Sequence, residues 1–455
     1  MANSTVNTRE LILDMLIEIY AEREYSHILI RNVLDKYNYL DSAEKSFMKR
    51  ITEGCVERRI QLDYCINQYS KIPVNKMKPL IRALLRMSVY QILFMDGTPD
   101  SAVCNEAVKL AQKRKFGTLK GFVNGVLRNI VRGKESIVYP DKDKEYVKAI
   151  SVQYSMPEWL IILWQKRYGK EKTEQIVAGL LEERPVTVRV NETLSVEEKN
   201  KWVMEMEQQG VQLQQHPYLS YAYELKHTER ISDLPGFAEG IFTVQDVSSM
   251  MVAQIADVKE GMHIIDVCAA PGGKTLHVAQ KLKGSGTVES RDVTEYKVEF
   301  IRENVERMKL SNVITSVVDA TQSMEDSKQV ADIVLADVPC SGLGVIGKKR
   351  DIKYRIKPEG LESILPLQKE IIATVWEYVK PGGVMIYSTC TIQKEENEDM
   401  IDWITKEFPF SLESLDAYLP EELHGETTGK GYLQLLPGIH KTDGFFLARL
   451  RRKGL

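Results

Sequence analysis

Asp266-Val267-Cys268-Ala269-Ala270-Pro271-Gly272-Gly273-Lys274-Thr275 joins two kinds of hydrophobic pattern. Ahead of it, residues 262–266 form a short apolar run that ends in an acid. Behind it, residues 274–283 carry apolar side chains at helical spacing. Two glycines between a strand and a helix let backbone amides approach a ligand closely. A phosphate-binding loop would need GxxxxGK[ST]; Gly273-Lys274-Thr275 fits its end, but Cys268 stands where its first glycine belongs. The dinucleotide pattern GxGxxG is missing as well. A nucleoside triphosphatase is therefore disfavoured.

The rhythm of this turn repeats outward from it. Strands are predicted at 262–266, 287–292, 313–319, 331–337 and 384–389, with helices at 274–283, 294–309 and 360–380, and a last strand from Phe445 to Leu450. Strand–helix alternation is the pattern of a doubly wound, Rossmann-like parallel sheet in the α/β class. Four of these strands end in acids: Asp266, Asp292, Asp319 and Asp337. One such acid alone reads as a helix cap or turn residue. Four in register suit a ligand with ribose hydroxyls, an adenine amine and a cationic centre, and S-adenosylmethionine has all three.

Asp337-Val338-Pro339-Cys340 and Ser388-Thr389-Cys390 place two thiols and a carboxylate at the carboxyl ends of apolar runs. Ligands bind at that edge of an open α/β sheet. Thiols there point to covalent chemistry on an electron-poor ring. Asp266–Thr275, Asp337–Gly344 and Ser388-Thr389-Cys390-Thr391 resemble the signature motifs of the RNA 5-methylcytosine methyltransferases, and Phe242–Ser249 is similar to that family's lead-in segment. The resemblance covers residue 150 or so to the end, with Val338 as one departure from a commonly smaller residue. It implies that Cys268, Ala269, Ala270, Pro271, Gly272, Gly273, Lys274, Asp292, Asp319 and Asp337 line the S-adenosylmethionine site. It also implies that Cys390 is the nucleophile, that Cys340 serves product release, and that Asp337 reads the cytosine edge. Spacing alone does not choose between the two thiols. The chemistry explains why both are needed: a thiolate added to carbon 6 makes carbon 5 nucleophilic, and carbon 5 must later lose its proton. Lys274 is either a cation beside this site or a surface lysine of a helix's first turn.

The 455 residues, 43% hydrophobic and 27% charged, exceed one ordinary core and call for two or three domains. No basic-then-apolar leader opens the chain, and no run approaches the roughly 18 apolar residues of a membrane span. A cytoplasmic protein is expected, without a membrane association. Cys55, Cys65 and Cys104 read as small buried hydrophobes. With no CxxC or HxxxH, no metal site is expected. The net charge of −3 hides an asymmetry: residues 1–134 carry +8 and the remainder −11.

Helical periodicity fills the basic third, at 8–20, 25–37, 43–70, 77–95, 102–115 and 119–132. Val103–Ala111 and Gly121–Arg128 resemble the NusB-like RNA-binding fold, an all-helical bundle. The expected organisation is an all-α NusB-like domain over 1–140, a small mixed α/β RNA-binding domain over 145–238, and the methyltransferase domain over 239–455. Helices at 157–168, 171–182 and 195–209 and a strand at 186–191 belong to the middle part. Lys348-Lys349-Arg350 with Lys353, and less firmly Arg189 and Asn191, are candidate RNA contacts. This order of modules is similar to that of the RsmB/Sun family, which implies methylation of a cytosine in 16S ribosomal RNA; a monomer is expected because no heptad or exposed apolar stripe calls for a partner copy. Alternatives are the same reaction on transfer RNA, or a non-catalytic RNA-binding assembly factor.

Overall fold

Near-continuous burial along the strands decides which segments join a sheet covered on both faces, and helical periodicity decides the rest. The computed structural model describes residues 6–228 and 230–454. The chain divides into two compact units. One runs to Leu181 and includes Ile346–Ile356; the other holds Glu182–Val345 and the chain from Lys357 onward.

The first unit is helical. Thr8–Tyr20, Ser26–Lys36, Ser42–Glu57, Arg59–Tyr69, Pro79–Phe94, Asp100–Lys113 and Lys120–Gly133 enclose a core that includes Leu13, Met48, Leu62, Leu84 and Leu127. Cys55, Cys65 and Cys104 are buried, as expected. Periodicity predicts one helix over 43–70, but the chain breaks at Arg58 (φ −98°, ψ 19°), where one helix ends and the next begins. Helices Tyr146–Tyr154 and Glu158–Leu181 follow, the latter interrupted at Gly169 (φ 78°) between the two predicted segments.

Ile346–Ile356 is stitched into this unit by its charges. Ser26 donates its backbone N–H (3.1 Å) and hydroxyl (2.6 Å) to Asp351. Arg350 pairs with Glu57 at 3.0 Å and Glu53 at 3.4 Å. Lys353 Nζ, only 2% exposed, donates to the Glu57 carbonyl at 2.9 Å. The expectation that Arg350 and Lys353 hold RNA phosphates is thus overturned, because both donors are spent inside the unit. Lys348 and Lys349 remain exposed.

The second unit holds two sheets. The smaller is antiparallel, with strands β1 Val186–Val190, β2 Gln212–Gln215, β3 Ala222–Lys226 and β4 Phe242–Val244 in the order β2-β3-β1-β4. Trp202 of helix Val196–Gln208 packs on Phe242 and Tyr223 beneath it. That helix starts with a capping box between Ser195 and Glu198, where the sequence predicts its start. Arg189, fully buried, donates Nε to Gln245 at 2.8 Å and bonds Gln280 through Nη1. It ties β1 to helix Gly273–Lys281 and is no RNA contact.

The larger sheet has eight strands: β5 His263–Asp266, β6 Thr287–Asp292, β7 Val313–Val317, β8 Ala331–Asp337, β9 Val379–Thr389, β10 Phe410–Leu412, β11 Tyr432–Leu435 and β12 Phe445–Arg452. Their order is β10-β12-β9-β8-β5-β6-β7, with β11 also on β12. Strands β5 to β9 are parallel, as the alternation predicts; β10, β11 and β12 are antiparallel, so the sheet is mixed. Ile264, Ile333, Leu335, Val384 and Ile386 face one apolar layer, and Ile265, Val334, Ala336, Met385 and Tyr387 face the other. Strands covered on both faces read as near-continuous apolar runs, which is why they were visible in the sequence. Strand order reverses beside β5, and the crevice at such a switch point is where ligands bind.

Candidate active site

Adjacent parallel strands deliver both thiols to one edge. β8 pairs with β9 so that Asp337 lies opposite Ser388. Cys340 follows the end of β8 and Cys390 the end of β9. Their sulfurs stand 3.2 Å apart, in contact, and neither is in a disulfide.

Lys274 settles the choice that the sequence left open. Its side chain is 13% exposed, and its Nζ donates to Asp337 Oδ2 at 2.7 Å and sits 5.3 Å over the Phe445 ring. It is not a surface lysine. Burial works against its charge; the Asp337 carboxylate more than reverses this and holds the lysine above its ordinary pKa. Ser388 Oγ donates to the other Asp337 oxygen at 2.7 Å. The Cys340 thiol is pushed well above its usual pKa, first by its hydrogen bond with Cys390 and then by burial, with the Glu396 and Asp337 charges adding.

A second group of side chains, missed in the sequence, surrounds the cysteines. Glu396, 1% exposed, accepts from the Ser341 N–H at 2.9 Å, from Ser341 Oγ, and from Gln368 Nε2 at 3.0 Å. The Ser341 and Thr391 hydroxyls are 2.7 Å apart. Asn397 accepts from Thr389 Oγ1 at 2.6 Å and donates to the Thr391 carbonyl at 3.2 Å. The signal was present as Glu395-Glu396-Asn397-Glu398, close behind Cys390, but such a run reads as the charged start of helix Glu398–Glu407.

The glycine turn lies at the end of β5. Gly272 takes φ 104°, and its N–H donates to the Ala269 carbonyl at 2.7 Å. The Ala270–Pro271 bond is cis. Asp292, 5% exposed, accepts from the Ala270 N–H at 2.9 Å and from Lys297 Nζ at 3.0 Å. Asp266 is fully buried; Thr275 Oγ1 donates to its Oδ2 at 2.7 Å, while its Oδ1 has no hydrogen-bond partner. Burial, opposed by the Thr275 bond, raises its pKa to about 7. Burial followed by the charges of Asp266, Asp292 and Asp337 raises the Cys268 thiol, so the electrostatics link these four residues. Asp319 differs from them: it lies past the end of β7, is exposed, and accepts from the Thr321 N–H and hydroxyl at 2.9 and 2.7 Å, as a turn residue does.

Comparison with known proteins agrees with this geometry. Residues 253–451 match the family model for the 16S rRNA methyltransferase RsmB/F, residues 6–132 that of the NusB family, and residues 156–232 that of the RsmF/B-like ferredoxin-like domain. "Probable ribosomal RNA small subunit methyltransferase B" of Bacillus subtilis is 34% identical over 98% of this chain and 99% of its own length. The chain belongs to the ribosomal RNA small subunit methyltransferase B family. A Serratia proteamaculans member is 31% identical over 95% of this chain and 98% of its own. The crystal structure of PH0851 superposes with a TM-score of 0.81 at 26% identity, covering 98% of this chain and 99% of that one.

The family's cofactor is S-adenosylmethionine, and the residues at the glycine turn fit it. Asp266 has a buried acceptor oxygen to spare, Asp292 offers a carboxylate at the end of β6, and Gly272 brings backbone close without a side chain. Among the described residues no three His, Cys, Asp or Glu side chains gather as a metal-binding group, and no helix is long and apolar enough to cross a membrane.

Proposed function

We propose that this enzyme methylates carbon 5 of a cytosine in 16S ribosomal RNA, in the cytoplasm, through a covalent adduct on Cys390. The observation that carries the reading is the 3.2 Å pair of thiols at the ends of β8 and β9, beside the Lys274–Asp337 ion pair. The names of the relatives supply the polymer, small-subunit ribosomal RNA.

Cys268, Ala269, Ala270, Pro271, Gly272, Gly273 and Lys274, with Asp292, Asp319 and Asp337, would hold S-adenosylmethionine. The bound cofactor supplies a methyl group on a sulfonium, an electrophile that unactivated cytosine does not attack. This chain's residues provide the activation. The target base must leave its stack at a cost of a few kcal/mol, to be offset by contacts elsewhere on the RNA. The basic NusB-like module is suited to that work. Asp337 accepts from the amino group of the flipped cytosine and so rejects uracil. The Cys390 thiolate adds to carbon 6, forming a carbon–sulfur bond and pushing electrons to carbon 5. Lys274, whose charge is favoured by both Asp337 and Cys390, stabilises the anionic character that results.

The two thiols are told apart by their surroundings. Cys340 keeps its proton while Cys390 is a thiolate, because the hydrogen bond between them and the Glu396 and Asp337 charges all favour that state. Once Cys390 is a thioether, its negative charge is gone and Cys340 ionises more readily. Cys340 then takes the proton from carbon 5, the electron pair of that carbon–hydrogen bond restores the ring double bond, and Cys390 leaves as thiolate.

Substituting Cys390→Ala tests this directly. Methyl transfer to 16S RNA should be abolished with S-adenosylmethionine affinity nearly intact, whereas Cys340→Ala should accumulate a protein–RNA adduct as a slow band on a denaturing gel. Full activity in the Cys390 variant refutes the nucleophile assignment.

A further inference from the structure

We propose that Glu396 is a positioning residue for the release step: it sets Cys340 against Cys390 by holding Ser341 and Thr391. The proposal rests on the cysteine roles given above and concerns a residue outside the motifs that carry them.

Each catalytic cysteine is followed by a hydroxyl residue, Ser341 after Cys340 and Thr391 after Cys390. The two hydroxyls meet at 2.7 Å, a cross-link one residue away from the pair of sulfurs. Glu396 fixes this cross-link from below. One carboxylate oxygen accepts from Ser341 Oγ, and the other accepts from both the Ser341 N–H at 2.9 Å and Gln368 Nε2 at 3.0 Å. Gln368 also donates to the Pro339 carbonyl at 2.9 Å. Both residues flanking Cys340 are therefore held by one buried assembly. Glu396 itself is fastened by Tyr387, whose hydroxyl donates to its carbonyl at 2.6 Å from within β9.

A carboxylate accepts all three of these bonds on its two oxygens. Three donors converge on Glu396, so both of its oxygens must accept. An amide that keeps its oxygen on the Ser341 N–H and Gln368 turns its NH2 group toward Ser341 Oγ, which must then accept rather than donate and swing its own proton to Thr391 Oγ1, so the hydrogen-bond sense of the Ser341–Thr391 cross-link is reversed. Burial raises the Glu396 pKa, and the bonds from Ser341 and Gln368 work to lower it again. The carboxylate is 1% exposed and its bonds go to Ser341 and Gln368, so it acts through the loop that carries Cys340.

The test is Glu396→Gln in the full-length enzyme, with S-adenosylmethionine affinity by calorimetry, kcat and KM on 16S RNA, and adduct on denaturing gels. The expected result is unchanged cofactor affinity and RNA KM, a fall of kcat by roughly 10- to 100-fold, the scale for a reacting group displaced by about 1 Å, and accumulation of adduct. In the Cys340→Ala background the same substitution should add nothing. A merely structural role would instead weaken cofactor binding and slow adduct formation and release together, which overturns the proposal, as would losses that multiply in the double variant. If Glu396→Gln does not fold, Ser341→Ala removes one hydroxyl bond, leaves the N–H bond, and should accumulate adduct to a smaller extent; wild-type release in that variant overturns the proposal. If Cys340→Ala alone forms no adduct, the cysteine assignment has failed first, and the two failures are distinct.

Discussion

Gly344 sits where three backbone segments converge, and replacing it by alanine tests how tightly the fold holds Cys390. Its N–H donates to the Cys390 carbonyl at 3.0 Å, and its carbonyl accepts from the Gly444 N–H at 2.9 Å. A Cβ at this position would lie 2.0 Å from the Gly444 carbonyl oxygen and 2.9 Å from that of Cys390. Comfortable contact for such atoms is about 3.5 Å, and the clash is with backbone, so no side chain can rotate away. The segments must separate by an ångström or more, losing two hydrogen bonds at roughly 1 kcal/mol each and adding about 1–3 kcal/mol of overpacking strain. Gly344→Ala should therefore destabilise the enzyme by ~3–5 kcal/mol in urea unfolding. Adduct formation in the variant that does fold should slow by about 10²-fold, because Cys390 moves with its carbonyl. Gly360→Ala is the control. That glycine lies in helix Pro358–Val375, where an added Cβ would meet nothing within 4 Å, and alanine there should stabilise by roughly 0.5–1 kcal/mol. An unchanged urea midpoint with full adduct formation in Gly344→Ala would refute the account of how Cys390 is held.

Three further outcomes follow from single side chains. Burial depresses Lys353 to about 7 in the folded chain, against about 10.4 when unfolded. Below pH 7 both states are protonated and the folding penalty is complete; between the two values only the unfolded state keeps its proton, so stability rises with pH, by ~2 kcal/mol from pH 7 to 9. Lys353→Met should remove that part of the rise in urea titrations, and an unaltered pH slope contradicts the burial argument. Asp292→Asn places an NH2 group against the donors Ala270 N–H or Lys297; S-adenosylmethionine affinity by calorimetry should fall about 10- to 100-fold, equivalent to ~1.4–2.7 kcal/mol. Arg189→Met leaves the Gln245 and Gln280 carbonyl oxygens without their donor and should cost about 2–4 kcal/mol, while the RNA affinity of the folded variant stays at the wild-type value; a selective loss of RNA binding would restore the surface reading of Arg189.

Most of the parallel core was legible because strands β5, β8 and β9 are buried on both faces. Strands β5, β8 and β9 appear in the sequence as apolar runs ending in acids or in the STC motif, β6 is a mostly polar stretch that also ends in an acid, and the structure places all four close to those limits. The strands that were missed are short and mostly half exposed: β2 is Gln212-Leu213-Gln214-Gln215, with a single apolar residue. Its partner β3 and the two short strands on β12 depend on partners that periodicity does not reveal. The same limit applies to the site. Lys274, Asp337 and the cysteines lie in recognisable motifs, whereas Glu396 and Gln368 act through contacts made only after helix and strand have packed. The basic loop misled for the opposite reason. Arg350 and Lys353 look solvated in sequence, and only the fold brings Glu53 and Glu57 to them.

Two cysteines fifty residues apart become one site because register is specified by burial. Asp337 faces Ser388 across β8 and β9, and Cys390 follows Ser388 by two residues, so it returns to the same side of the strand. A slip of one residue would move Ile386 and Leu335 out of one apolar layer and Met385 and Val334 out of the other. The energy that fixes the thiols is thus mostly that of the sheet's two cores, while the charges around them set what each thiol does. Asp337 serves both purposes. It ends β8, accepts from Ser388 of the neighbouring strand, and holds Lys274 from the glycine turn, so one carboxylate joins the glycine turn to the strand that leads into Cys390. An acid at this position is required by the electrostatics, since without it the buried Lys274 would lose its ion-pair partner.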